Sequence, residues 1–202
     1  MGDIVTGVDS SSACTAESLA CVQGEGMAFV GRYYSRTTQI AGKKLTASEA
    51  QLFVGAGLLI VAVYEDGPTE ASYFSVSRGT EDAQGAMQQA QAVGQPQGTP
   101  IYFTVDYDAS SSDIAGAITA YFGALNDTFN GVYEVGVYGS GAVCSAILAA
   151  GLAKLAWLAQ STGWSGYSQF TDWAIKQGAS QAICGLNSDS DVAHGEYGGF
   201  QV

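Results

Sequence analysis

Histidine is nearly missing from this sequence: His194 is the only one in 202 residues. None of the four cysteines forms a CxxC pair, so a Cys/His zinc site is unsupported and no metal is assigned. Basic residues are scarce too. Seven Lys and Arg stand against 19 Asp and Glu, for a net charge of −12. Such a surface repels phosphate backbones and anionic lipid, so neither nucleic acid nor membrane is an expected partner. A neutral or weakly charged polymer is easier to bind, although the charge could also serve only solubility. No G-x-x-x-x-G-K-[ST] or G-x-G-x-x-G occurs, so no nucleotide cofactor is expected. GVYGSGAV lacks the full G-x-S-x-G elbow, which argues against a Ser/His hydrolase.

Long apolar runs are absent as well. The longest, Leu58–Tyr64, is too short to cross a membrane as a helix. The opening MGDIVTGVDS has neither a basic n-region nor an apolar h-region. The expectation is the mature form of a secreted protein. An even cysteine count permits two disulfides in an oxidising compartment. Of three possible connectivities, Cys14–Cys21 with Cys144–Cys184 needs the least chain travel.

What is present is apolar and turn-rich. The hydrophobic fraction is 47% and there are 27 glycines, with no linker or composition shift. One domain over residues 1–202, a monomer, is expected. Apolar runs at Ile4–Val8, Ala28–Tyr33, Leu58–Tyr64, Ile101–Val105, Val135–Tyr138, Leu155–Ala159, Trp173–Ile175 and, weakly, Asp191–Ala193 read as strands. Helical stretches separate the first six. Thr46 and Glu49 form a T-x-x-E capping box, closed at Gly55–Gly57. A third helix is expected to start with Thr80, Glu81 and Asp82 and end at Gly94. Ser161–Thr171 and Gly178–Asn187 are too Gly/Ser-rich for crossover helices. The fold class is therefore α/β with a parallel sheet: a trimmed TIM-like (β/α)8 barrel whose helices are shortened or missing in the C-terminal half.

In parallel α/β folds the reactive side chains sit at the C-terminal strand ends. Here those ends are acidic: Asp9 after strand one, Glu65 and Asp66 after strand three, Asp106 and Asp108 after strand four, Asp189 and Asp191 in the last. Asp106 and Asp108, two apart on a strand, would face one side. Crowded carboxylates split their pKa values, leaving one as acid and one ionised, as glycosidic cleavage requires. The catalytic candidates are thus Asp9, Glu65, Asp106 and Asp108. Helix capping by Asp108, or Mg²⁺ or Ca²⁺ on an Asp/Asp/Glu cluster, would also account for some of these acids. Tyr33, Tyr138, Trp157 and Trp164 could stack on sugar rings. Gln177 and Asp189 stand at the last strand ends. Arg32, inside an apolar run, needs a carboxylate and is read as positioning a cleft acid.

The stretches GVDSS, FVGRYYS, KKLTASEA, GLLIVAVYE, IYFTVDYDAS, VGVYGSGAVC, AWLAQSTGWSG and SDSDVAHGEYGGF run in order along the chain. On them the sequence resembles the DUF1906 (Rv2525c-like) group of glycoside-hydrolase-like domains, distant relatives of GH25-type lysozymes. The resemblance implies a trimmed barrel and a wall polysaccharide as substrate. Those lysozymes end strand four in Asp-x-Glu, with the Glu as acid, whereas Asp106 and Asp108 stand here. Glu65 on the adjacent strand is then the substitute acid, with Asp106 as nucleophile or stabiliser and Asp9 in support. The resulting expectation is a secreted glycosidase of peptidoglycan or a related glycan. The alternatives are a non-catalytic glycan-binding barrel and a metal-dependent hydrolase.

Overall fold

The computed structural model describes residues 4–202, so the first three residues of the expected domain lie outside it. Eight strands close into one barrel in sequence order: β1 (Ile4–Ser10), β2 (Phe29–Tyr34), β3 (Leu59–Tyr64), β4 (Pro100–Thr104), β5 (Glu134–Gly139), β6 (Leu155–Leu158), β7 (Ile175–Ile183) and β8 (Leu186–His194). From β1 to β7 each strand runs parallel to the next.

The last strand departs from the expected parallel sheet. β8 is antiparallel to both β7 and β1. Only Cys184 and Gly185 link β7 to β8, with φ of 55° and 75°. A parallel return needs a crossover of a dozen or more residues, whereas a two-residue turn with positive φ closes a hairpin. The Gly/Ser-rich stretch 178–187 read as a loop is largely this hairpin, and its β7 arm is half-buried or exposed from Gly178 to Ile183.

The helices follow their caps. Thr15 opens α1 (Ala16–Gly24) in a capping box with Ser18. Thr46 opens α2 (Ala47–Ala56), and Gly57 closes it in the left-handed region. α3 (Val76–Val93) begins earlier than expected because Ser75 accepts from the Arg78 amide. That places Asp82 inside the helix, fully buried, where Tyr73, Tyr121 and Tyr64 donate to it at 2.6, 2.9 and 3.1 Å. Ser110 caps a short turn, α4 (Ser111–Asp113), which runs through π-helical Ile114–Ile118 into α5 (Thr119–Phe129). Ser140 caps α6 (Gly141–Ala149). No helix follows α6 among the described residues, in line with the trimmed second half.

Two apolar layers result. Outward-facing strand residues such as Val8, Val30, Ile60 and Phe103 pack under the helices. Inside the barrel lies a smaller cluster of Phe29, Val61, Val63, Tyr102, Trp157, Ile175 and Ala193. Lumen-facing glycines admit its large rings. A Cβ on Gly31 would lie 2.8 Å from Trp157 Cη2, and one on Gly136 would lie 2.6 Å from the Tyr102 ring.

Cysteine pairing also differs from the sequence reading. The disulfide joins Cys21 on α1 to Cys184 at the hairpin turn, with Cα atoms 5.6 Å apart, and Cys14 and Cys144 are buried free thiols. Barrel closure lays the C-terminal hairpin beside α1, so chain proximity is a poor guide. The bridge spans a separation of 163 residues. Cys21→Ser is expected to lower unfolding free energy by about 2–4 kcal/mol. Urea titrations of wild type and variant should differ in oxidised buffer and coincide once the wild type is reduced.

Candidate active site

Alternation along the strands sends one residue in two into the lumen. At the C-terminal ends of the parallel strands these inward positions are polar. They enclose a cavity of about 240 Å³ lined by Asp9, Tyr33, Glu65, Thr104, Asp106, Tyr138, Trp157, Gln160, Gln177 and Asp189.

The floor is a fixed hydrogen-bond network. Tyr33 Oη and Gln177 Nε2 donate to the two oxygens of buried Asp9, each at 2.7 Å. Tyr138 Oη donates to Gln177 Oε1 at 2.8 Å, which fixes the orientation of that amide. The same Gln177 nitrogen reaches Asp189 Oδ2 at 3.3 Å. Below, Trp157 Nε1 donates to Asp191 Oδ1 at 3.1 Å, while buried Asp191 Oδ2 has no partner. Burial pushes Asp9 up to about 6, against its bonds from Tyr33 and Gln177 and reinforced by Asp189 and Glu65. Burial and the nearby Asp9 raise Asp191 well above the usual carboxylate range.

The rim carries a second arrangement. Lys43 Nζ donates to Glu65 Oε1 at 2.9 Å and lies 4.5 Å from the Tyr33 ring centroid. Asp106 is exposed at the mouth, and its amide donates to Pro68 O at 3.0 Å. Partial desolvation in the cleft, then the charge of Glu65, raise the Asp106 carboxyl, and Lys43 opposes them. Asp66, next to Glu65, turns away. It accepts from the Thr37 and Arg36 amides, both at 3.0 Å, and from Tyr64 at 2.8 Å, tying the β2–α2 loop to the end of β3.

Asp9, Glu65, Asp106, Tyr33, Tyr138, Trp157, Gln177 and Asp189 therefore share one cavity, and three other candidates stand outside it. β4 ends at Thr104, so strand alternation no longer governs Asp106 and Asp108. Asp108 is exposed and accepts from the Ser165 amide at 2.8 Å. Trp164 is not part of the lining. Arg32 lies between lumen-facing Gly31 and Tyr33 and so points outward. Its Nε donates to Glu49 Oε1 at 2.7 Å, its Nη2 to Gly42 O at 2.7 Å, and its Nη1 to Ser10 O. Glu49 is thereby drawn away from the expected capping box and also accepts from the Cys14 amide at 2.8 Å. The pair joins β2 to α2 and touches no cleft acid. Trp157 lines the cavity but is 1% exposed and wedged against Tyr102 and Tyr138, so only Tyr33 and Tyr138 offer ring surface to a ligand.

Lys43 escaped the sequence reading. The signal available was a lysine within a loop returning to β2, beside a strand end carrying Tyr33. Among the described residues, no three His, Cys, Asp or Glu side chains are grouped closely enough to hold a metal ion. The metal-dependent alternative has no ready ligand set there.

The comparisons with known proteins agree on the architecture. A family model described as "Rv2525c-like, glycoside hydrolase-like domain" matches residues 20–199. YbfG of Bacillus subtilis (strain 168) is 34% identical over 203 residues, covering 90% of this chain. The chain spans only 28% of the length of that relative. The Mycobacterium tuberculosis Tat-secreted protein Rv2525c, solved with L-tartrate, superposes with a TM-score of 0.82 at 21% identity, covering 96% of this chain and 98% of that one. A bacterial lysozyme from Streptomyces coelicolor reaches 0.61 at 15% identity, covering 96% and 93%. At these identities the two structures bear on the fold alone.

Proposed function

Since the chain belongs to the Rv2525c-like, glycoside hydrolase-like domain family, we propose that its acidic cavity hydrolyses glycosidic bonds of a cell-wall glycan outside the cell. The observation that carries this reading is the unequal pair at the rim. Asp106 has a raised carboxyl and stands open at the mouth, while Glu65 is ion-paired to Lys43. Glycoside hydrolysis needs such a division: a protonated acid for the leaving oxygen and a standing carboxylate for the oxocarbenium-like centre.

In this mechanism Asp106 gives its proton to the glycosidic oxygen as the C–O bond breaks. Glu65 faces the positive charge that develops on the ring. Water completes the cleavage, and its proton returns to Asp106. The assignment reverses the one the resemblance implies, because Lys43 partners Glu65 and nothing comparable partners Asp106. Asp9 is buried with both oxygens engaged, so its part is to hold Tyr33 and Gln177 against the sugar. Asp108 has no part in the chemistry and anchors the segment around Ser165. The disulfide favours an oxidising compartment, in keeping with a secreted protein.

Reducing-sugar release from a panel of bacterial cell walls, chitin and glucans tests the reading. Turnover on at least one of them is expected. Silence across the panel sinks the hydrolase, and saturable binding with that silence would instead favour a glycan-binding barrel.

A further inference from the structure

The cavity holds more carboxylates than hydrolysis requires. Glu65 and Asp106 suffice for acid and stabiliser, yet Asp9 and Asp189 line the same 240 Å³. Buried, crowded carboxylates cost stability unless something compensates them. The chain supplies little compensation. Among the described residues no Lys or Arg lines the cavity, and Lys43 at its rim is engaged with Glu65 and largely buried. Asp189 has a single neutral donor, the Gln177 amide at 3.3 Å. Directly beneath, Asp191 Oδ2 has none. Among the described residues the acids are also too dispersed for three of them to share a metal ion. They surround a ring-sized space instead, with Tyr33 and Tyr138 at its wall.

From this arrangement we infer that the site takes a glycan bearing a free, positively charged 2-amino sugar, whose ammonium is received by Asp189, in preference to anionic or fully N-acetylated sugars. This inference rests on the glycan reading above and narrows its substrate class. An ammonium on the ring supplies the missing donor. It also relieves the mutual repulsion of the acids, a gain that a neutral acetamide cannot give. A uronate or other carboxylate-bearing sugar adds to the repulsion. The wall polymer selected is thus one in which some amino sugars have lost their acetyl groups.

Isothermal titration of the whole chain with glucosamine, N-acetylglucosamine and galacturonate tetramers separates the cases. The expected order is the glucosamine oligomer at least tenfold tighter than the N-acetylated one, with no uronate binding. The advantage should shrink severalfold between low salt and 0.5 M NaCl, because unscreened charge carries it. It should also shrink in Asp189→Asn, whose fold is checked by its melting curve. Equal affinity for the glucosamine and N-acetylated oligomers, or measurable uronate binding, overturns the amino-sugar preference and leaves the glycan site standing. An absence of binding to all three overturns both. An advantage that persists unchanged at 0.5 M NaCl or in Asp189→Asn also overturns the inference, since the ammonium would then be received elsewhere.

Discussion

Asp106→Asn should lower glycan turnover by roughly 10²–10⁴-fold, the usual contribution of a positioned general acid. Asparagine keeps the size of the side chain but has no proton to transfer to the leaving oxygen. Little stability should be lost. The side chain is exposed at the cleft mouth, and the hydrogen bond that fixes the residue uses its backbone amide, donated to Pro68 O. Substrate affinity should change far less than kcat, so the loss falls on the chemical step. The pH profile gives a second readout. Ionisation of Asp106 sets the alkaline limb of kcat, and the Lys43 ammonium favours that ionisation, against burial and Glu65. Removing the ammonium in Lys43→Met should therefore move the alkaline limb to higher pH. Full turnover in Asp106→Asn, or an alkaline limb that does not respond to Lys43→Met, would return the acid to Glu65 or remove catalysis from this cleft.

Arg32→Ala is expected to cost about 3–5 kcal/mol, the penalty for stranding one partner of a buried ion pair. Arg32 is fully buried and Glu49 is 5% exposed, with Nε and Oε1 2.7 Å apart. The variant leaves the Glu49 carboxylate held only by the Cys14 amide, and it frees the carbonyls of Ser10 and Gly42. For a chain of this length, roughly 2–4 °C per kcal/mol converts the loss into a melting-temperature drop of about 6–20 °C. The double variant Arg32→Met with Glu49→Leu should recover part of it, because an apolar pair leaves no unpaired charge. Recovery should be incomplete, since the two carbonyls still lose their donor. Thermal unfolding of the three proteins decides the matter. A single-variant loss below about 1 kcal/mol would mean that water reaches Glu49 and that the pair is not structural.

These two residues also mark how far the sequence could be read. Asp106 was legible as a cleft acid because it follows an apolar strand in a β/α alternation. Arg32 was legible as a residue needing a carboxylate, but not as one facing the helices. Its direction depends on strand parity, which is set by Gly31 beside Asp9 and Trp157. Asp108 failed for a related reason. The rule that positions two apart share a face holds inside a strand, and β4 ends at Thr104. Lys43 was invisible because its partner, Glu65, lies across a loop whose course is held by Asp66.

By itself the sequence determined the alternation of strands with helices, the cap at Thr46, the turn at Gly57, the trimmed C-terminal half and the acidic strand ends. All of these are written in short-range patterns: apolar period, cap chemistry and turn residues. Only the tertiary structure decided the antiparallel β8, the bridge of Cys21 to Cys184, the outward turn of Arg32 and the Lys43–Glu65 pair. Each depends on barrel closure or on the path of a loop, which bring together groups that no local pattern relates.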